Sequence, residues 1–369
     1  MENSKLEPLQ SLKICFIAGT LGVGGAERQL YLILSTLKRM GSQVSLICLN
    51  TGEYWEQPIK ETGVSYYSLG GKGSKLQRLI KIISLLRKIK PDIVQSQHFY
   101  TNIYAAVSGR FLNIFSIGAS RSDLKVEVRG NGIFGIPSLK WPRFFLLNSM
   151  RSFDQALAWG RSRSSTFYLP NALDTGKFNY VAASMRVNKG QFVFLAIGRL
   201  DDNKRFEKFI ELISRLKKVY GNKVKGILIG SGILEDYLKA CSRNFGLDKN
   251  DMEFISHTSE PETYLKSANL FILTSDFEGN PNVVLEAMAC GLPVVSTKVG
   301  NLPFFIKDGD NGFFFDGTVD QLLKIVMGLM DDMELLNKVS INAVKKIEDC
   351  FSVEALEKNL AFIYNAIMN

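Results

Sequence analysis

The chain has 369 residues, 46% hydrophobic and 22% charged, with a formal net charge of +9. That length suits two α/β domains, and the composition excludes a disordered, repetitive or low-complexity chain. The five cysteines are scattered with no CxxC pair, and the two histidines, His98 and His257, lie far apart, so the expectation is reduced, buried thiols and no metal site.

The N-terminal segment MENSKLEPLQSLK carries both charge signs and leads into an apolar run that Gly19 soon interrupts, which is not the pattern of a signal peptide. No stretch approaches the ~20 apolar residues that span a bilayer. The expected location is therefore the cytoplasm or the inner face of the cell membrane. The basic charge leaves three kinds of partner open: nucleic acid, anionic lipid or a phosphate-bearing ligand.

KICFIAG reads as a buried parallel strand ending in glycine. A glycine-rich turn follows, then AERQLYLILSTLKRMG, whose Leu30, Ile33, Leu34 and Leu37 keep a helical period until Gly41. QVSLICL is the next strand, which completes a βαβ unit and predicts a parallel sheet. A helix through KLQRLIKIISLLRKIK and a strand at DIVQSQ repeat the pattern. Residues 175–191 are polar and poor in large aliphatics, and FVFLAIGRL then starts the pattern again. Strands VKGILIG, MEFI, NLFILT and PVVST follow, with helices LEDYLKACSRNF and NVVLEAMACG between them. The predicted fold is α/β, two Rossmann-like domains facing a central cleft, with ligands at the carboxyl ends of the strands. The last stretch, SVEALEKNLAFIYNAIMN, is a helix that suits either domain.

The loop GTLGVGGAE is neither a P-loop nor a dinucleotide fingerprint. Gly25 and Ala26 replace the lysine and hydroxyl of the first, and Glu27 stands where the third glycine of the second belongs. What remains is a glycine-lined helix N-terminus at Gly24 and Gly25 that suits a phosphate, set against a plain tight turn. In GRLDDNKR, Arg199 and Lys204 lie just beyond a strand end, where two cations suit a diphosphate and its developing charge.

The most informative segment is SDFEGNPNVVLEAMACGLPVV. Asn280 reads as a helix cap and Pro281 as its first turn, with the helix ending at Gly291. Glu286 has Asn282, Val283, Ala289 and Cys290 as helical neighbours, mostly apolar company for a carboxylate. It is therefore expected to face a cleft and a specific donor such as a ribose diol. Glu278 and the backbone of 279–282 suit sugar hydroxyls and phosphate oxygens.

Glu278-x₇-Glu286 within EGNPNVVLEAMACGLPVV resembles the donor motif of the family 4 retaining glycosyltransferases of GT-B fold (glycosyl transferases group 1). GGAE at 24–27, GRLDDNKR, YLPNALD at 168–174 and LLNS at 146–149 resemble further motifs of that family, in the same order. The resemblance implies a metal-independent enzyme without a cofactor, moving a hexose or N-acetylhexosamine with retention. The donor is a nucleotide diphosphate sugar, UDP before GDP, and the acceptor a glycan, lipid-linked, of a bacterial surface polysaccharide. Arg199, Lys204 and Glu278 are the implied catalytic residues. Gly24, Gly25, His257, Gly279, Asn280, Pro281, Asn282, Val283 and Glu286 complete the nucleotide-sugar set. The implied domains are 1–178 for the acceptor and 179–350 for the nucleotide sugar, with helix 351–369 packing back on the first.

Three departures stand out. Gly300-Asn301-Leu302-Pro303-Phe304 replaces the family's G-G-x-P-E, Ala172 replaces the glycine of its P-N-G, and His257 stands near where a glycine often lies beside the base. Arg121 and Asp123 occupy the region where many relatives carry a histidine. With His98, at another strand end, they are the candidate acceptor contacts. Asp308-Gly309-Asp310 reads as a turn rather than a metal motif. The basic helix 75–90 and PSLKWPRFFLLNSMR, with Trp141, Phe144 and Phe145 among Lys140, Arg143 and Arg151, raise a peripheral contact with an anionic membrane. The alternatives are a nucleotide-sugar epimerase of the same architecture and a basic nucleic-acid-binding protein, although no nucleic-acid recognition motif is present.

Overall fold

The computed structural model describes residues 7–182, 185–186, 190–256 and 258–369. The chain forms two compact units, one of Met1–Ala172 with Val353–Asn369 and the other of Leu173–Ser352. The first boundary lies at 172 rather than 178 because Leu173 and Phe178 are buried in the second unit's core.

The first unit is built on seven parallel strands: β1 (Lys13–Ala18), β2 (Gln43–Cys48), β3 (Ser65–Ser68), β4 (Ile93–Ser96), β5 (Phe115–Ser120), β6 (Phe144–Leu147) and β7 (Thr166–Tyr168). Their order in the sheet is β3-β2-β1-β4-β5-β6-β7. In β1 every residue after Lys13 is buried, as expected of a strand covered by helices on both faces. The helix Gly25–Arg39 covers one face with Leu30, Ile33, Leu34 and Leu37. The helix Lys75–Ile89 begins with a capping box between Ser74 and Gln77 and ends at Lys90, whose φ is +51°. The terminal helix Val353–Met368 buries Leu356, Leu360, Ile363 and Ile367 in the first unit's core. Tyr364 donates its hydroxyl to Gln95 Oε1 at 2.7 Å, and Arg39 pairs with Glu357 at 2.7 Å.

The second unit has six parallel strands: β8 (Phe192–Ile197), β9 (Val224–Ile229), β10 (Met252–Ile255), β11 (Leu270–Leu273), β12 (Val294–Thr297) and β13 (Phe313–Phe315). They are ordered β10-β9-β8-β11-β12-β13. In both sheets the strand order reverses direction beside the first strand, between β1 and β4 and between β8 and β11. Chains leaving these neighbours diverge to opposite faces and open a crevice at the carboxyl end.

The aromatic and basic segment PSLKWPRFFLLNSMR is divided among three elements. It supplies the end of the helix Gly135–Lys140, strand β6 and the start of the helix Met150–Ala158. Phe145 is fully buried and Phe144 packs on the core, which leaves Trp141 as its exposed aromatic. Asp308-Gly309-Asp310 is a turn, with Gly309 at φ +76° and Asp308 Oδ1 accepting from the Phe314 amide at 2.8 Å.

Candidate functional site

In the second unit the loops after β8 and β11 meet at the switch point. The Thr274 hydroxyl donates to the Lys204 carbonyl at 2.7 Å, and the Asp276 amide donates to the Asn203 carbonyl at 2.9 Å. Asn203 donates its side-chain amide to the Phe277 carbonyl at 2.6 Å. These bonds bring Lys204 against Glu278, Nζ to Oε1 2.6 Å, with side chains only 16% and 12% exposed. The Ser275 hydroxyl donates to the same carboxylate oxygen at 2.7 Å. An ammonium has three protons to donate, so the ion pair occupies one and leaves others for a ligand.

From below, the turn at Gly300 supports this loop. The Asn301 amide donates to the Gly279 carbonyl at 3.0 Å. Gly300 has φ +56°, and a Cβ there would stand 2.5 Å from the carbonyl oxygens of both Glu278 and Gly279. The glycine that this chain shares with the family's G-G-x-P-E is therefore a spacing requirement beneath Glu278.

Beside the pair lies a cavity of about 320 Å³ lined by Gly198, Arg199, Gly230, Ser231, Val283 and Glu286, with Ser256, Thr258 and Pro261 at its edge. Glu286 is buried on the helix Asn282–Ala289. Arg199 is largely exposed, held by Asp201 at 2.6 Å. Gly230 passes so close to Gly198 that a Cβ would overlap the Gly198 carbonyl oxygen. Pro281 takes the capping position, outside the helix, and the helix ends ahead of Gly291, whose φ is +69°. Pro281 therefore replaces Asn280 as the cap, and its ring fixes φ while lacking an amide that would need a partner.

In the first unit the corresponding strand ends carry His98 and the glycine loop. The Gly19 amide donates to His98 Nδ1 at 3.2 Å, so Nε2 carries the proton and donates to Glu27 Oε1 at 3.1 Å. Burial resists ionisation of Glu27, but the His98 hydrogen bond and a backbone bond outweigh it and hold the carboxyl below its usual range. The space left by the missing Cβ of Gly24 is filled by the Glu27 carboxylate, and Gly25 begins the helix. Glu53 fastens the same loop by accepting from the Thr20 hydroxyl at 2.7 Å and from the Leu21 amide.

Asp123 caps the helix Leu124–Gly130 by accepting from the Lys125 and Val126 amides at 2.9 and 3.1 Å. Arg121 donates Nη1 to the Leu169 carbonyl at 3.4 Å, while its Nε and Nη2 are buried without a hydrogen-bond partner among the described residues. Burial pushes its guanidinium down to about 10.

Within the second unit the structure thus gathers Arg199, Lys204, Glu278, Gly279, Asn280, Pro281, Asn282, Val283 and Glu286 around one switch point. Gly24, Gly25, His98, Arg121 and Asp123 stand in the first unit, and His257 lies outside the described residues. Sequence reasoning missed Gly198, Ser231, Ser256 and Ser275. The strand-end turn Gly230-Ser231-Gly232 was the available signal for the second of these. The others are ordinary residues whose role comes from tertiary placement.

The family profile for Glycosyl transferases group 1 matches residues 182–346, and that for Glycosyltransferase Family 4 matches residues 23–124. The chain thus carries a glycosyl transferases group 1 domain and a Glycosyltransferase Family 4 domain. Its fold is GT-B, with two parallel-sheet units. The capsular polysaccharide biosynthesis glycosyltransferase CapM of Staphylococcus aureus is 24% identical over 80% of this chain and 82% of its own length. A Campylobacter jejuni α-1,4-N-acetyl-D-galactosaminyltransferase, named for a diphospho-undecaprenol-linked (PP-undecaprenol) acceptor, is 25% identical over 92% of this chain and 94% of its own. The match to the uncharacterized glycosyltransferase MJ1059 of Methanocaldococcus jannaschii, 26% identical, is shorter, 60% of this chain and 59% of that one. Among solved structures, Anabaena HepE in complex with UDP and glucose superposes with a TM-score of 0.79 at 18% identity, over 96% of this chain and 99% of that one. Among the described residues of this glycosyltransferase, no helix is long and apolar enough to cross a membrane.

Proposed function

We propose that this glycosyltransferase moves a hexose or N-acetylhexosamine from a UDP-sugar, with retention and without a metal, to a lipid-linked glycan of a bacterial surface polysaccharide. The observation that carries the donor half is the pairing of the Glu286 cavity with the Lys204–Glu278 ion pair at the second unit's switch point. Glu286 accepts from the ribose hydroxyls. Arg199 and the unspent protons of Lys204 hold the diphosphate, supplying the positive charge that a divalent ion brings elsewhere. Glu278 and the backbone of 279–282 hold the sugar.

In the transfer the bond from the anomeric carbon to the β-phosphate oxygen breaks, and its electron pair leaves with UDP. The acceptor oxygen bonds to the same face of an oxocarbenium-like sugar, and its proton passes to the departing phosphate. Lys204 stabilises the charge that grows on that phosphate. The first unit holds the acceptor near His98 and Arg121. The preference for UDP is supported by the UDP complex of HepE, and the lipid-linked acceptor by the name of the Campylobacter relative.

The test is a panel of UDP-, GDP- and ADP-sugars incubated with a lipid-linked glycan, with and without EDTA, followed by NMR of the product. Acceptor-dependent UDP release with an α-linked product from an α-linked donor, unchanged by EDTA, supports the reading. A converted sugar nucleotide without any acceptor would mean an epimerase instead, and an inverted product would remove the mechanism.

A further inference from the structure

The first unit holds a second cavity, of about 460 Å³, lined by its own residues alone. It opens between the first turns of the helix Lys75–Ile89, the helix Asn102–Leu112 and the segment 130–141. Leu79, Ile103 and Val107 line it together with the aromatic rings of Tyr100, Phe134 and Trp141. Around it Leu76 is 66% exposed, Ile133 85% and Trp141 60%, a concentration of apolar surface that costs free energy in water.

The polar groups that line this cavity are cationic at one side. Lys75 Nζ stands 4.5 Å from the centre of the Phe134 ring. Arg78 donates Nη2 to the Gly71 carbonyl at 2.8 Å, and its buried Nε has no hydrogen-bond partner among the described residues. No carboxylate occurs in the sequence between Glu61 and Asp92, while Lys72, Lys75, Arg78 and Lys81 do. A free phosphate would leave the apolar walls unmatched, and an uncharged lipid would leave the cations unmatched. The cavity also adjoins the strand-end site: Tyr100 stacks on His98 with ring centres 5.5 Å apart.

We propose that this pocket seats the isoprenoid chain of a polyprenyl diphosphate-linked acceptor, with Lys75 and Arg78 on the diphosphate and the glycan directed past Tyr100 toward His98. The proposal rests on the reading that the acceptor is lipid-linked and adds where and how the lipid is held.

The probe is farnesyl diphosphate, measured by calorimetry on the full chain, with farnesol and inorganic diphosphate as separate arms. The expected result is binding of farnesyl diphosphate at least about tenfold tighter than either fragment. Val107→Trp, which fills the cavity, and Lys75→Glu, which reverses a rim charge, should each weaken it by about tenfold or more, while the UDP thermal shift of both variants stays at the wild-type value. Equal affinity in both variants, or no binding to the wild type, overturns the proposal. So does loss of binding to phosphatidylglycerol vesicles in the variants without any uptake of farnesyl diphosphate, which would mean a flat membrane contact. Transfer by the wild type to a lipid-linked glycan, assayed separately, distinguishes failure of the pocket from failure of the acceptor reading.

Discussion

Lys204→Ala should lower turnover by about 10²–10³, the usual effect of removing one donor aimed at developing charge, which corresponds to about 2.7–4 kcal/mol. The same change unpairs Glu278. A fully buried pair that loses one partner costs about 3–5 kcal/mol and an exposed pair about 0–1 kcal/mol. With side chains 16% and 12% exposed, this pair lies between those limits, and Glu278 keeps the Ser275 hydroxyl at 2.7 Å. The stability cost is therefore about 1–3 kcal/mol, a fall in Tm of roughly 2–12 °C for a unit of this size. Initial rates of UDP release, taken well below the variant's Tm, separate the two effects. Lys204→Arg should recover stability better than rate, because the fork lacks the compact ammonium geometry. A Lys204→Ala enzyme that is folded and turns over within about threefold of wild type would refute the diphosphate role.

Arg199 is 80% exposed and pairs with Asp201 near it in sequence, so Arg199→Ala should leave Tm unchanged while weakening UDP binding, measured by calorimetry. Gly300→Ala places a methyl against two carbonyl oxygens at positive φ, and a cost of about 1–3 kcal/mol in urea denaturation should accompany loss of transfer. Glu27 has a folded pKa below its unfolded value, so its stabilisation is complete above the ordinary carboxylate range and is lost as pH falls through the lowered value. The Tm difference between wild type and Glu27→Gln should accordingly shrink as pH is lowered from 6 to about 3. Burial pushes the thiols of Cys15 and Cys290 up to about 12 and that of Cys48 to about 11. In native protein at mild alkaline pH, iodoacetamide should reach the partly exposed Cys350 and Cys241 first, as read by mass spectrometry.

The strands that bear the site were legible because buried parallel strands are short apolar runs ending in glycine, as in FVFLAIGRL and VKGILIG. The loops after them could be assigned from position alone, since chemistry gathers at carboxyl ends. What the sequence hid is tertiary. Ser275 is one serine among many until the β11 loop folds it onto Glu278. The Glu27 carboxylate turns back over Gly24, a placement that no local pattern announces. Phe144 and Phe145 beside Lys140 and Arg143 suggest a headgroup interface, yet both rings belong to strand β6, and Phe145 is fully buried. The second cavity is assembled from separate elements spread over more than fifty residues and leaves no local pattern.

The most direct test of the donor site is a thermal-shift titration of wild type and Glu286→Ala with UDP, GDP and ADP, with and without EDTA. One nucleotide, UDP in this account, should raise the wild-type Tm by an amount that grows with its concentration, about 2.7 kcal/mol of stabilisation at a hundred times Kd. EDTA should leave that shift in place, and Glu286→Ala should remove most of it. A wild-type protein that responds to none of the three nucleotides would contradict the donor site.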